Sequence, residues 1–96
     1  MSYIVFKNSD SSPVLASLWW GSLKESKTIK VAAGASTNFG VNTTSYGKAW
    51  KGWAVEIKDA QKYVLANCYS LCHDARINLL KHTQHGYQST YAIEVS

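Results

Sequence analysis

Over its first twenty residues the chain alternates between apolar and polar positions. Ile4 and Phe6 fall on one side of a run over Tyr3–Asn8, with Tyr3, Val5 and Lys7 on the other. After the polar break Asn8-Ser9-Asp10-Ser11-Ser12-Pro13, Val14, Ala16, Leu18 and Trp20 oppose Leu15, Ser17 and Trp19. A period of two puts successive side chains on opposite faces of an extended chain, so both runs read as half-buried strands and the polar break as a turn. The pattern recurs in Thr28–Ala33 (Ile29, Val31 and Ala33 inward), Thr37–Val41 (Thr37, Phe39, Val41), Trp53–Ile57 (Trp53, Val55, Ile57) and Tyr63–Tyr69 (Val64, Ala66, Cys68). It returns in Ala75–Lys81, through Ile77 and Leu79, and in Tyr91–Val95. Gly21–Ser26, Asn42–Lys48 and Lys81–Ser89 read as polar loops, Gly34-Ala35-Ser36 as a turn and Asp59-Ala60-Gln61 as a hairpin-length break.

Seven to eight short strands with turn signals between them predict an all-β chain, a single small antiparallel β-sandwich or barrel over residues 1–96. A competing helix over Leu65–Leu80 is also compatible with the pattern, because Leu65, Cys68, Cys72, Ala75 and Leu79 recur at helical spacing. A chain of 96 residues holds one core.

Charge narrows the range of partners. Charged residues make up 17% of the chain, below the usual quarter, and the net charge of +4 comes from ten basic and six acidic residues. The lysines are scattered (Lys7, Lys24, Lys27, Lys30, Lys48, Lys51, Lys58, Lys62, Lys81) and Arg76 is the single arginine. Nucleic-acid readers concentrate basic residues and favour arginine for its bidentate fork, so no specific nucleic-acid partner is expected. The N-terminus lacks the basic and apolar regions of a signal peptide, and no apolar run approaches the roughly 20 residues of a membrane span. These features predict a soluble chain, cytoplasmic or secreted by a non-classical route.

Cys68 and Cys72 are the two cysteines. In one continuous strand they would stand ~13 Å apart, beyond disulfide reach, so a bond between them requires the strand to end near Tyr69; two free thiols are the plainer state. Together with His73, Asp74, His82 and His85 they invite a zinc site, but C-x₃-C-H-x₈-H-x₂-H matches no usual structural zinc pattern, and no metal or other cofactor is expected. Cys72, His73 and Asp74 are consecutive, so on extended chain they face alternately and do not make a triad. Asp10, Glu25, Glu56, Asp59, Asp74 and Glu94 show no paired arrangement, and there is no glycine-rich phosphate loop. The chain is therefore read as a non-enzyme, with a small hydrolase or metal protein built on Cys72 and His73 as the remote alternative.

Aromatics are the strongest remaining signal. The chain has four tryptophans and six tyrosines, and Ser45–Ile57 holds two of those tryptophans with Lys48, Lys51, Gly47 and Gly52. Trp53 reads as core from its alternation with Val55 and Ile57. Tyr46, Lys48, Trp50 and Lys51 on the loop side, whichever of Trp19 and Trp20 faces outward, and Tyr87 in the polar loop are the candidate ligand-binding residues. An exposed flat ring stacks on the apolar face of a sugar while Asn, Gln, Ser and Thr bond its hydroxyls, and the same rings settle at lipid headgroups. A lectin-like glycan binder is the first expectation. A membrane-lipid headgroup binder of the cytolysin type, with Lys48 and Lys51 meeting phosphate, is the second. Association into a homodimer through an edge strand or aromatic patch is compatible with either.

Ile4-Val5-Phe6-Lys7-Asn8-Ser9, Trp20-Gly21, Ile29-Lys30-Val31-Ala32-Ala33-Gly34, Gly47-Lys48-Ala49-Trp50-Lys51-Gly52 and the closing Ala92-Ile93-Glu94 follow one another in an order that resembles the aegerolysins. The likeness is a pattern of single residues over much of the chain, which is shorter and more basic than those proteins. It implies a small β-sandwich that binds membrane lipids and in some members takes part in pore formation, and it assigns no binding residue here.

Overall fold

The computed structural model describes residues 2–20, 24–85 and 88–96, and side chains outside 24–26, 82–85 and 88–90. Eight strands are present among them: β1 (Ser2–Asn8), β2 (Val14–Trp20), β3 (Lys24–Val31), β4 (Ser36–Val41), β5 (Trp53–Lys58), β6 (Val64–Leu71), β7 (Arg76–His85) and β8 (Gln88–Val95), with a one-turn helix α1 (Thr43–Tyr46) between β4 and β5. They form two four-stranded sheets, β4-β1-β7-β8 and β3-β2-β5-β6. The all-β sandwich expected from the alternation is the observed architecture.

One pair departs from the antiparallel expectation. β1 sits between β4 and β7, antiparallel to the first and parallel to the second, with Val5, Phe6, Lys7 and Asn8 opposite Arg76, Ile77, Asn78 and Leu79. Parallel strands need a long crossover rather than a hairpin. Here five strands separate β1 from β7 along the chain, which is ample.

The inward residues of both sheets meet in one core: Ile4 and Phe6 of β1, Phe39 and Val41 of β4, Ile77 and Leu79 of β7, against Val14, Ala16 and Leu18 of β2, Val31 of β3, and Trp53, Val55 and Ile57 of β5. The competing helix over Leu65–Leu80 is not formed. That stretch is β6, a turn, and the start of β7. Trp53 pairs with Leu71 while Val55 pairs with Cys68, so β6 carries one extra residue there, and Ser70 takes φ 56. The bulge turns both Cys68 and Leu71 inward although they are three positions apart, an odd step that in a regular strand puts side chains on opposite faces. The helical spacing of Leu65, Cys68, Cys72, Ala75 and Leu79 thus spans one strand, a turn and the next strand.

Two expected loops are partly strand. β3 begins at Lys24, inside Gly21–Ser26, and Lys81–Ser89 is mostly the hairpin of β7 and β8, paired from Lys81↔Ala92 to His85↔Gln88. Asn8, expected to open a turn, is fully buried at the end of β1. Its Nδ2 donates to the carbonyls of Ser12 (2.8 Å), Val31 (3.2 Å) and Ala32 (3.3 Å), and its Oδ1 accepts from Asp10 N (3.1 Å). One side chain thereby ties the first sheet to the β1–β2 turn and to the end of β3 in the second. Among the described residues no helix is long and apolar enough to cross a membrane.

Candidate ligand-binding site at one end of the sandwich

β2 and β5 pair so that Trp20 opposes Trp53 at one end of their sheet. Across the sandwich, β4 ends at Val41 and the chain turns at Asn42. The Oδ1 of Asn42 accepts from Thr44 N (2.9 Å) and Ser45 N (3.3 Å), capping α1 in the way asparagine does at helix starts. Gly47 closes the turn at φ 77, and its N–H donates to Thr43 O at 2.8 Å. That φ is readily reached only without a Cβ. The short turn fixes Tyr46 over the sandwich end.

Three rings gather there. Tyr46 stacks on Trp50 with centroids 4.4 Å apart, and Trp50 stands edge-on to Trp53 at 4.6 Å. Tyr46 also meets Trp53 edge-on at 5.9 Å. Offset-stacked and edge-to-face pairs are worth about 0.5–1.5 kcal/mol each beyond their burial. Gly52 makes the arrangement possible, because a methyl group there would overlap the benzo ring of Trp50. Gly52→Ala is therefore expected to swing Trp50 off its neighbours, costing about 1 kcal/mol and weakening the near-UV circular dichroism of the coupled rings. An unchanged near-UV spectrum would show that the cluster does not depend on this close approach.

Beside the cluster lies a cleft of about 290 Å³, with Trp20, Tyr46 and Trp53 as its aromatic surfaces, Asn42 and Ser45 as polar groups, and Gly40 leaving room on the β4 side. Among the described residues, no lysine, arginine or carboxylate lines it. Of the residues singled out in the sequence, Tyr46 and Trp20 line this cleft, and Trp50 is half-buried behind it. Lys48 and Lys51 are exposed on the same connection. Trp19 does not join them: it precedes Trp20 in β2 and faces the outer side of the sheet, where it is half-buried. Tyr87 lies outside the described residues. Trp53, read as core only, is both 2% exposed and part of the cleft surface. Asn42 and Ser45 were hidden in what looked like a featureless polar connection, although Asn-Thr-Thr-Ser has the composition of a helix cap.

The cysteine and histidine cluster is arranged differently from its sequence order. Cys68 is buried on β6, Cys72 is half-buried after the strand, and both are free thiols, so the disulfide weighed for this pair is absent. His73 Nδ1 lies 3.1 Å from Ser2 Oγ, which ties the ring to the start of β1. Among the described residues, no three His, Cys, Asp or Glu side chains gather as a metal site.

Burial pushes the Cys68 thiol above its ordinary range. In the unfolded chain the thiol ionises from about pH 8.5, while in the fold it stays protonated. The unfolded state then binds fewer protons, so the contribution of this group to stability is complete below that pH and is lost as pH rises through the folded value. The stability gap between the parent and Cys68→Ala should accordingly narrow between pH 8 and 10 in urea melts, and a gap constant with pH would contradict the assignment. No family model matches the chain, and no match is found among curated proteins or solved structures.

Proposed function

We propose that the chain is a non-enzymatic recognition module whose end cleft takes a neutral sugar residue of a glycan or glycoconjugate. The observation that carries this reading is the lining of the cleft: two tryptophans and a tyrosine around two uncharged polar side chains, with no ionised group among the described residues. Aromatic faces stack on the C–H face of a pyranose, and amide and hydroxyl groups bond its hydroxyls. An uncharged lining among the described residues suits hydroxyls better than a phosphate or carboxylate. About 290 Å³ is at the small end of ligand sites and suits a single ring.

A glycan array followed by tryptophan-fluorescence titration of the hits tests this. Tyr46→Ala, which removes an exposed ring and leaves the core intact, is expected to weaken binding about ten-fold, the equivalent of 1.4 kcal/mol. An array without hits at high protein concentration would sink the reading. One observation favours lipid headgroups instead: Tyr46, Lys48 and Lys51 are all exposed on the connection flanking the cleft. That reading requires the chain to sediment with liposomes, more strongly when they are anionic and less in high salt.

A further inference from the structure

We propose that the end cleft is one subsite of a longer track that passes over the end of β2 and β5 onto the outer face of their sheet, and that the track fits a neutral oligosaccharide. This rests on reading the end cleft as a sugar site. On the outer face Trp19 lies beside Ala54 in the β2–β5 register, and β6 follows on the other side of β5. Trp19 and Tyr69 therefore stand on strands two spacings apart, roughly 10 Å, with only the methyl of Ala54 between them. The result is a hollow of about 230 Å³ between two aromatic side chains. Tyr69 is 67% exposed, more than an aromatic side chain needs for packing.

The polar groups of this hollow suit hydroxyls. Glu56 and Asn67 are cross-strand partners on its floor, one an acceptor and the other both donor and acceptor. The carboxylate of Glu56 is held by Lys58 Nζ at 3.1 Å, which offsets its charge. The indole Nε1–H of Trp19 is buried and has no acceptor among the described residues. A buried donor without a partner is unfavourable, and a small rotation of the ring toward the hollow would give it a ligand oxygen.

A third hollow, of about 210 Å³, joins the two. It shares Trp20 and Trp53 with the end cleft and Trp19, Ala54 and Tyr69 with the face hollow, and Lys51 lies on it. Because Trp19 and Trp20 are consecutive in β2, their rings face opposite sides of one sheet, and a ligand that bends over the strand ends meets both. Three adjoining ring-sized hollows, each bounded by aromatic side chains, call for a chain of linked rings.

The test uses the whole chain and β-1,4-linked oligomers of glucose and of N-acetylglucosamine, one to six residues long, whose equatorially substituted rings present flat apolar faces. Calorimetric affinity is expected to rise at least ten-fold from the monosaccharide to the tetrasaccharide and then level off. Tyr69→Ala, an exposed position that leaves folding intact, should return the tetrasaccharide to near-monosaccharide affinity without changing monosaccharide binding more than two-fold. Trp19→Phe, which keeps a ring and loses the N–H, should fall between Tyr69→Ala and the parent. Monosaccharide binding with no length dependence, or tetrasaccharide binding indifferent to both substitutions, overturns the track while leaving the end cleft standing. Absence of binding at every length overturns the sugar reading of the cleft and the track with it.

Discussion

Trp53→Ala is expected to destabilise the fold by about 3–5 kcal/mol and to dismantle the end cleft in the same step. Trp53 is 2% exposed and opens β5, where it pairs with Trp20 on one side and Leu71 on the other. Truncation empties a ring-sized space between the two sheets, and a strand paired on both sides cannot collapse to fill it. It also removes the edge-on partner of both Trp50 and Tyr46. For a domain of this size such a loss corresponds to roughly 20 °C in melting temperature. Ile57→Ala is the matched control. It lies four positions further along the same strand, fully buried and distant in sequence from the aromatic cluster. Its cost should be about 2–5 kcal/mol with the near-UV aromatic signal of the native state retained. If Trp53→Ala cost no more than a surface substitution, or left the near-UV spectrum intact, Trp53 would not join core and site as described.

The second large effect lies at the opposite end of β2. Asn8→Ala removes one side chain and leaves the carbonyls of Ser12, Val31 and Ala32 without their donor and Asp10 N without its acceptor. A buried polar group stripped of its partner costs about 1–3 kcal/mol. Water can reach those atoms at the less buried end of the turn, so a total of about 3 kcal/mol is expected rather than the full sum. Asn8→Asp should do no better, since a carboxylate accepts but cannot donate to three carbonyls. Urea melts followed by tryptophan fluorescence read both variants. Val14 and Val31 pair beside Asn8, whereas Trp20 and Trp53 pair at the other end of β2, so any folded Asn8→Ala protein should retain parent affinity for a cleft ligand. A stability loss under about 1 kcal/mol would mean that these carbonyls find other partners or water at little cost.

The inward faces of β1, β2, β4, β5 and β7 were legible because each buries alternate apolar residues on one side. What escaped had a physical reason in each case. Lys24-Glu25-Ser26 and His82–His85 carry no apolar alternation, yet backbone pairing is indifferent to side-chain polarity once a neighbouring strand is in place. The β6 bulge at Ser70 shifted the inward phase, and the helical spacing of Leu65, Cys68, Cys72, Ala75 and Leu79 ran across β6, a turn and β7. Asn8 was read by its turn propensity, when its amide serves a buried junction that only the meeting of two sheets creates. The candidate site was half legible. Tyr46 and Trp20 stood out as excess aromatics, but that Trp50 folds back over Gly52, and that Asn42 and Ser45 come to face Trp20, depends on the closure of the sandwich end. Trp19 and Trp20 looked interchangeable in the sequence, and the strand pleat separates them onto opposite faces.

The most direct test of the end cleft as a sugar site is a ¹⁵N-edited NMR titration of the whole chain with the strongest glycan found by array. The cleft reading predicts shifts concentrated on the amides of Gly40, Asn42, Ser45 and Tyr46 and on the indole N–H groups of Trp20 and Trp53. Saturable shifts clustered elsewhere, such as around Lys7, Arg76 and Asn78 on the outer face of the other sheet, or a spectrum unmoved by every glycan, would contradict it.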